Sequence, residues 1–246
     1  MAPGSSAMTA RYRYSPAWRT FAQLLLRPLL FALMARGWRG RSHIPRSGGV
    51  IIAANHVSEA DPLALAHFVY KAGRFPVFLA KDVLFRLPVL GPLLTAVGQI
   101  PVARGTAGAA RSLADAREAL EAGQCVVFYP EGTCTRDPRL WPMRAKTGVA
   151  RLALETGAPV IPVAQWGAHE LLPYASGKLS PLPRKAMRVA AGAPVDLTAY
   201  ADGAADADTL RAATDEIMRT ITALLGELRG QEPPERPYVH EERRQS

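Results

Sequence analysis

The first 58 residues of the sequence contain no acidic residue. Glu59 is the first carboxylate of the 246-residue chain. The eight arginines that precede it are Arg11, Arg13, Arg19, Arg27, Arg36, Arg39, Arg41 and Arg46. Nearly all of the formal net charge of +9 therefore lies in this segment. A coding bias towards Arg would not remove acidic residues from one segment, so the pattern favours an anionic surface as partner, either a membrane or a nucleic acid.

Three further absences narrow the class of protein. Only two cysteines are present, Cys125 and Cys134, which excludes a disulfide-stapled scaffold and fits a reducing, cytosolic environment. The chain has no G-x-S-x-G segment, which counts against a serine esterase. No unbroken apolar run reaches the ~20 residues that span a bilayer. The longest stretch, 21–35, is interrupted by Arg27 and Pro28.

Residues 16–46 combine the basic charge with apolar and aromatic side chains. Trp18 and Trp38 flank the apolar stretch, as interfacial aromatic residues often do. The pattern predicts a helix, a turn at Pro28 and a second helix ending near residue 40, lying together in the membrane interface. A soluble core helix with a basic outer face is the alternative interpretation.

Residues 47–230 alternate between short apolar runs and helical patterns. Strands are predicted at 50–54, 76–80, 100–102, 125–129, 160–164 and 187–191, and helices at 61–70, 107–122, 145–155 and 209–229. This alternation indicates an α/β fold, a single domain with a mixed, mostly parallel sheet covered by helices. Sites in such sheets lie beyond the carboxyl ends of the strands. Residues 1–15 and 231–246 are expected to be a flexible N-terminus and a flexible charged tail.

A first polar cluster, Asn55-His56 with Asp61, follows the strand at 50–54. A carboxylate five residues after a histidine, at a helix start, can accept Nδ1–H and leave Nε2 free to take a proton. No Ser or Cys is clearly placed as nucleophile, so the simplest chemistry is attack by a substrate hydroxyl that His56 deprotonates. A capping Asp61 beside a structural histidine is the alternative.

A second cluster follows the strand at 125–129 and contains Glu131, Gly132, Thr133 and Arg136. Backbone N–H groups, the Thr133 hydroxyl and the Arg136 guanidinium suit an anionic group such as a phosphate. A plain turn capped by Glu131 is the alternative.

Three more cations, Lys81, Arg104 and Lys146, stand close to strand ends or helix starts. Lone cations are usually solvated. Together with Arg136, however, they would form a phosphate cradle, since Lys and Arg are the usual phosphate partners.

In this order the clusters resemble the glycerophospholipid acyltransferase family, typified by lysophosphatidic acid acyltransferases. The resemblance runs from about Val50 to Ala164. Its four blocks are Asn55-His56 with Asp61; Lys81-Asp82-Val83-Leu84 with Pro88, Gly91 and Gly98-Gln99-Ile100-Pro101-Val102-Ala103-Arg104; Tyr129-Pro130-Glu131-Gly132-Thr133; and Val160-Ile161-Pro162-Val163. One departure stands out, because the family usually has Arg directly after Gly-Thr, where this chain has Cys134.

The resemblance implies transfer of an acyl group from acyl-CoA or acyl-carrier protein to the free hydroxyl of 1-acylglycerol 3-phosphate, giving phosphatidic acid. His56 would be the general base and Asp61 would hold its imidazole. The residues implied on the phosphate side of the acceptor are Lys81, Arg104, Glu131, Gly132, Thr133, Arg136 and Lys146. No metal or bound cofactor is implied. Alternative acceptors are glycerol 3-phosphate, another lysophospholipid or a glycolipid.

The expected location is the cytoplasmic face of the plasma membrane, with the protein peripheral or monotopic on anionic lipid.

A non-catalytic anionic-lipid or nucleic-acid binding protein is a second hypothesis. It does not account for His56 and Asp61 beside a phosphate-type loop, and the arginines lack an RNA-binding aromatic motif, so no nucleic-acid partner is expected. A His-dependent hydrolase is a third hypothesis. An active-site thiol role for Cys134 is disfavoured, because no base is evidently paired with it.

Overall fold

The computed structural model describes Thr20 and residues 34–103, 106–174, 176–203 and 206–240. The strands are β1 (Met34–Arg39), β2 (Val50–Ala54), β3 (Pro76–Lys81), β4 (Ile100–Val102), β5 (Cys125–Phe128), β6 (Val160–Trp166) and β7 (Lys185–Ala191). The α-helices are α1 (Asp61–Lys71), α2 (Leu90–Ala96), α3 (Thr106–Glu121), α4 (Gly148–Thr156), α5 (Ala168–Leu171) and α6 (Ala207–Arg229). Short 3-10 helices cover Arg41–His43, Asp82–Arg86 and Thr198–Gly203.

The strands form one sheet in the order β1-β7-β6-β2-β5-β3-β4. Every neighbouring pair is parallel except β6 with β7. The carboxyl ends of β2 to β6 therefore share one edge of the sheet, whereas β7 and β1 run the other way and begin at that edge. The mixed, mostly parallel sheet predicted from the sequence is confirmed.

The central strand β2 is apolar on both faces because helices cover both faces of the sheet. Ile51 and Ala53 join the core cluster that contains side chains of α3, α4 and α6. Val50, Ile52 and Ala54 point the other way, into the cluster that includes α1. All five side chains are fully buried. Burial of each Val or Ile side chain stabilises the fold by about 1.5–3 kcal/mol.

Helix α6 covers one face of the sheet, as its sequence pattern predicted. It begins after Asp206, whose side chain accepts a hydrogen bond from the Thr209 N–H at 2.8 Å, and it ends at Gly230 with φ 63°. Its buried stripe includes Ile217 and Ile221, one helical turn apart. Among the helices of the described ranges, α6 included, none has both the length and the apolar character needed to cross a bilayer.

The prediction of a helix pair over 16–40 is wrong for residues 34–39. Met34–Arg39 form strand β1, which pairs in parallel with β7. Trp38, expected at a membrane interface, instead packs its ring edge-on against His67, with ring centroids 4.8 Å apart. Apart from Thr20, the rest of the predicted pair and the N-terminal residues before it lie outside the described residues.

Two glycines account for the strand. Gly37 disfavours a helix by its conformational freedom. Gly40 ends β1 with φ 76°, at a point where an added Cβ would collide with the backbone carbonyl of Ala191. Glycine at position 40 therefore lets the chain pass close to the end of β7, a pairing that local helical periodicity does not reveal.

The segment expected to be a flexible tail is anchored over the part that the structure describes, 231–240. Tyr238 forms an isolated parallel bridge with Met143. The Arg144 N–H donates to the Tyr238 carbonyl at 2.9 Å. This stretch therefore lies on the loop between β5 and α4, which carries the second polar cluster. Residues 241–246 lie outside the described residues.

Candidate active site

The first polar cluster lies beyond the carboxyl end of β2. His56 follows this strand, and Asp61 is the first residue of α1. Nδ1 of His56 lies 3.0 Å from Oδ2 of Asp61. Both residues are buried, with exposed fractions of 7% for His56 and 0% for Asp61. The tautomer with its proton on Nδ1 donates to Asp61 and leaves Nε2 as a proton acceptor, the arrangement that the spacing predicted.

The loop before α1 fixes the Asp61 carboxylate. Its Oδ2 also accepts hydrogen bonds from the backbone N–H of Val57 at 2.6 Å and of Ser58 at 2.8 Å. Ser58 Oγ accepts from the Ala60 N–H at 3.0 Å and donates to the Leu172 carbonyl at 2.7 Å. The orientation of Asp61, and through it the His56 ring, is therefore set by the folded chain without a bound substrate.

Gln165 is a buried site residue that the sequence analysis missed. Its backbone N–H donates to Asn55 Oδ1 at 2.8 Å, and Asn55 Nδ2 donates to its carbonyl at 3.1 Å. Its side-chain Nε2 donates to the Asn55 carbonyl at 2.8 Å. These bonds tie the end of β2 to β6. The one available signal was a polar side chain in the otherwise apolar run of β6.

Tyr129 supports the imidazole of His56 from one face. The two rings stack with centroids 4.1 Å apart and an interplanar angle of 17°. Gln165 Nε2 lies 3.4 Å from the Tyr129 hydroxyl. Burial, reinforced by Asp61, raises the pKa of Tyr129 well above its ordinary value, so the ring stays a neutral phenol. Tyr129 belongs to the block Tyr129-Pro130-Glu131-Gly132-Thr133, but the sequence predicted no role for it.

Glu131 lies behind the site and holds two loops together. Its Oε1 accepts the His56 N–H at 3.1 Å, and its Oε2 accepts the Met143 N–H at 2.9 Å. The residue is only 4% exposed. Each oxygen thus accepts a backbone N–H, which favours a role in holding the two loops over the contact with the phosphate side of an acceptor that the resemblance implied.

Burial raises the pKa of Glu131 from its ordinary 4.5 to about 8, although the hydrogen bonds from Met143 and His56 lower it. A buried carboxylate loses the solvation that stabilises its charge. Near neutral pH much of the protein therefore has Glu131 protonated. The protonated fraction falls as the pH of the solution rises.

The turn after Glu131 brings Gly132 and Lys146 together. Gly132 adopts φ 74°, a conformation that favours glycine, and its N–H donates to the Tyr129 carbonyl at 2.9 Å. An added Cβ on Gly132 would lie 3.5 Å from Cε of Lys146. Lys146 is exposed, while Thr133 on the same turn is half-buried. A cation therefore stands directly on the predicted phosphate loop.

The other predicted cations are placed differently. Lys81 Nζ lies 2.9 Å from Glu59 Oε1, and both side chains are about half exposed. The Arg136 guanidinium sits over the Tyr174 ring, 4.8 Å from its centroid. Arg104 lies outside the described residues. The described structure therefore places Lys146 on the turn and Lys81 beside Glu59, and it turns Arg136 onto an aromatic ring.

Cys134 lies against the base. Its Sγ is 3.5 Å from Nε2 of His56, and its side chain is fully buried. Burial raises the pKa of the Cys134 thiol, and the negative charges of Glu59 and Asp61 raise it further, so the resting group is a thiol. The sequence alone indicated no base paired with this cysteine. The structure corrects that statement, because His56 stands within contact distance.

The loop that carries Cys134 is anchored through Thr135. The Thr135 N–H donates to the His56 carbonyl at 2.7 Å, and Thr135 Oγ1 donates to the Trp141 carbonyl at 2.6 Å. The Arg229 guanidinium lies between two indole rings, 4.1 Å from the centroid of Trp141 and 4.2 Å from that of Trp166. Helix α6 thereby holds the loop against the sheet.

This fold and this site define an acyltransferase-type domain. Residues 37–166, just over half of the chain, match the profile of the family described as Acyltransferase. The chain belongs to that family.

Several named proteins are similar to it. The 1-acyl-sn-glycerol-3-phosphate acyltransferase of Borreliella burgdorferi is 33% identical over 133 residues, which cover 53% of this chain and 50% of that protein. A chloroplastic 1-acyl-sn-glycerol-3-phosphate acyltransferase of Brassica napus is 30% identical over 140 residues, 56% of this chain and 39% of that protein. The matched region thus spans half or less of these relatives.

A solved structure confirms the fold. The crystal structure of the 1-acyl-sn-glycerophosphate (LPA) acyltransferase PlsC of Thermotoga maritima matches with a TM-score of 0.66 and 23% sequence identity. The match covers 88% of this chain and 81% of that one. The α/β architecture is therefore shared across nearly the whole chain.

Proposed function

We propose that the protein transfers a fatty acyl group from an acyl thioester to the free hydroxyl of 1-acylglycerol 3-phosphate, giving phosphatidic acid. The observation that carries the proposal is the contact of 3.0 Å between His56 Nδ1 and Asp61 Oδ2 at the carboxyl edge of the sheet. Family membership and the names of the similar proteins support the same chemistry. The donor is acyl-CoA or acyl-carrier protein.

The first step is proton transfer to His56. The acceptor hydroxyl gives its proton to Nε2 as its oxygen attacks the thioester carbonyl carbon. Asp61 accepts the Nδ1–H and stabilises the imidazolium that forms. The pair is buried, so this electrostatic help is stronger than it would be in water.

The second step is collapse of the tetrahedral intermediate. The carbon–sulfur bond breaks, the acyl group stays on the acceptor oxygen, and the departing sulfur takes the proton from His56. The oxyanion that precedes collapse needs hydrogen-bond donors. The backbone amide of Thr133 is our candidate, because the Gly132 N–H already donates to the Tyr129 carbonyl and the next residue, Cys134, has its Sγ 3.5 Å from Nε2 of His56.

The acceptor phosphate is assigned to the turn and the cations around it. The Lys146 side chain lies beside Gly132. The Lys81 side chain pairs with Glu59, on the loop that follows His56. Ammonium groups and a Gly-rich turn suit a phosphate. The full proposed set is Lys81, Arg104, Gly132, Thr133, Arg136 and Lys146. Glu131 is a positioning residue in this proposal.

Two features of the site leave room for acceptors other than 1-acylglycerol 3-phosphate. Cys134 replaces a cation, and Arg136 is stacked on Tyr174. The same chemistry on glycerol 3-phosphate, another lysophospholipid or a glycolipid therefore belongs in the same assay, because each offers a free hydroxyl to the same base.

We also propose that the protein works on an anionic membrane surface, as a peripheral protein on the cytoplasmic face of the plasma membrane. The arginines that precede Glu59 support this assignment, since each cation near such a surface adds about 1 kcal/mol of attraction. Co-sedimentation with vesicles tests it. Binding to vesicles with phosphatidylglycerol that is lost in high salt is expected, and equal binding to neutral vesicles would contradict it.

The test of activity is free-thiol release from palmitoyl-CoA and oleoyl-CoA by the purified protein in detergent. Acceptors are 1-acylglycerol 3-phosphate, glycerol 3-phosphate, lysophosphatidylinositol and none, and an acylated carrier protein replaces the CoA donors in a parallel set. Acceptor-dependent release that disappears in His56→Ala supports the proposal. His240→Ala, which removes an exposed histidine, is the control. Release that persists in His56→Ala, or no release with any pair, contradicts it.

A further inference from the structure

Three metal-binding groups converge at the base. A ring nitrogen of His56, Sγ of Cys134 and a carboxylate oxygen of Glu59 all lie within 4.8 Å of one another, and the nitrogen in contact with Sγ is Nε2. Two of the three residues, His56 and Cys134, are buried. We propose that this cluster binds Zn²⁺ and that the bound ion blocks acyl transfer. Binding stands independently of the proposed function, whereas inhibition rests on it.

The separation of the sulfur and nitrogen atoms fits a zinc ion between them. Zn–S bonds are about 2.3 Å and Zn–N bonds about 2.0–2.1 Å, so tetrahedral coordination places the two ligand atoms about 3.5 Å apart. Cys134 Sγ and His56 Nε2 are 3.5 Å apart. The pair therefore meets the geometric requirement without rearrangement.

The imidazole is already oriented as a metal ligand. A metal-bound histidine usually donates its other ring N–H to a carboxylate, which fixes the tautomer and makes the free nitrogen more basic. Asp61 makes this contact at 3.0 Å. Tyr129 stacks on the ring with centroids 4.1 Å apart and holds its plane. The features that prepare His56 as a base also prepare it as a ligand.

Glu59 supplies the third ligand from the solvent side. Its carboxylate is about half exposed and pairs with Lys81, so it is free to exchange that ion pair for a metal bond. A set of one thiolate, one imidazole and one carboxylate favours Zn²⁺ over Mg²⁺ or Ca²⁺, which prefer oxygen ligands alone. Water completes the fourth position.

Coordination uses the atom that the reaction needs. Zn²⁺ takes the Nε2 lone pair, and Cys134 releases its thiol proton to the solvent as it becomes a thiolate ligand. His56 is then unable to accept the proton of an acceptor hydroxyl. Bound zinc therefore inhibits by occupying the base.

Binding is measured first, on the purified 246-residue chain freed of metal. Zn²⁺ is titrated in competition with a chromophoric chelator, and Co²⁺ is used to detect the thiolate-to-cobalt charge-transfer band in the near ultraviolet. We expect one equivalent of Zn²⁺ and a cobalt band in the wild type. Cys134→Ala should weaken zinc binding at least 100-fold and remove the band, and Glu59→Gln should weaken binding about tenfold.

Cys125→Ala is the matched control, since Cys125 is the other cysteine and lies buried in β5, outside the cluster. It should bind Zn²⁺ like the wild type. The absence of stoichiometric binding by the wild type, or equal binding by Cys134→Ala, would overturn the site.

Inhibition is measured next by thiol-independent detection of the acylated product. Each variant is compared with its own zinc-free rate. Zn²⁺ should inhibit the wild type and Cys125→Ala alike, and Cys134→Ala should need at least tenfold more Zn²⁺ for the same fractional loss. Zinc that binds without inhibiting an active enzyme would overturn the second half of the proposal. If no acyl transfer exists to inhibit, the proposed function fails, and the binding titration still decides the metal site.

Discussion

The backbone N–H of His56 donates a hydrogen bond to Oε1 of Glu131 at 3.1 Å. The acid of the second polar cluster therefore holds the main chain of the residue that bears the base. Its other oxygen holds the Met143 N–H at 2.9 Å, so one side chain connects the loop after β2 with the loop between β5 and α4. We therefore expect Glu131 to act on the proposed reaction by positioning His56.

Replacing Glu131 by Gln should lower kcat roughly 10- to 100-fold and leave KM for the acceptor nearly unchanged. The amide has one oxygen for two backbone donors, so one hydrogen bond is lost and His56 shifts, and small misplacements of a reacting group cost about this much. Steady-state kinetics with varied acceptor check the prediction, with Glu121→Gln on the exposed end of α3 as control. A raised acceptor KM with an unchanged kcat would instead indicate direct contact between Glu131 and the acceptor.

The raised pKa of Glu131, about 8 against its ordinary 4.5, also makes stability depend on pH. The folded state holds this proton more tightly than the unfolded state. The contribution is therefore fully present below pH 4.5 and is lost as the pH rises through about 8. The loss is at most about 1.4 kcal/mol per pH unit for one proton.

Urea unfolding of the wild type and of Glu131→Gln isolates this contribution. The measurements run from roughly pH 5.5 to roughly pH 8.5, where the protonation of Glu131 differs between the folded and unfolded states. The free energy of unfolding of the wild type should fall relative to the variant as the pH rises. A difference between the two proteins that does not change with pH would refute the prediction.

Asp61→Asn should reduce kcat about 10³- to 10⁴-fold while the protein stays folded. The amide no longer favours the tautomer with the proton on Nδ1, nor does it stabilise the imidazolium. Asp82→Asn, which changes a surface carboxylate paired with Arg86 at 2.8 Å, is the control and should retain activity. Activity in Asp61→Asn within tenfold of wild type would mean that His56 does not depend on the Asp61 carboxylate.

Lys146→Gln should raise KM for a phosphorylated acceptor roughly tenfold or more, because a charge-assisted hydrogen bond to phosphate is lost. The KM for the acyl donor should change much less. Lys71→Gln, at the far end of α1 from Asp61, serves as the matched control. An acceptor KM equal to that of the control would show that Lys146 does not bind the acceptor phosphate.

Arg229→Ala should destabilise the fold by roughly 1–3 kcal/mol, because it removes two cation–π contacts. Thermal unfolding should show a loss of several degrees. Arg219→Ala on the same helix removes an exposed ion pair with Glu216 and should cost less than about 1 kcal/mol. Equal effects of the two substitutions would show that the sandwich between Trp141 and Trp166 does not stabilise the protein.

The parts of the fold that the sequence predicted well are those set by local pattern. Strand β2 has the bounds expected from its apolar run, Val50–Ala54. The proximity of His56 and Asp61 followed from five residues of chain across a helix start. In each case the information lies within one or two turns of the backbone, where periodicity and capping operate.

The parts that were missed depend on contacts between distant segments. Strand β1 exists because it pairs with β7, about 150 residues later in the chain. Gln165 is a site residue only because β6 lies next to β2. The partner of Cys134 became visible once the loop was folded onto His56. Residue spacing along the chain does not reveal such contacts between distant segments.

The direction of β1 has a consequence for how substrate reaches the base. Met34, the first residue of this strand, packs with Ala60 and Ala64 at the start of α1, next to Asp61. The residues that precede Met34 are therefore joined to the sheet at the edge that holds His56. A lipid surface bound by those residues would be tethered beside the base, and an acceptor would find it by diffusing across a plane, at a high local concentration, without crossing a volume of solvent.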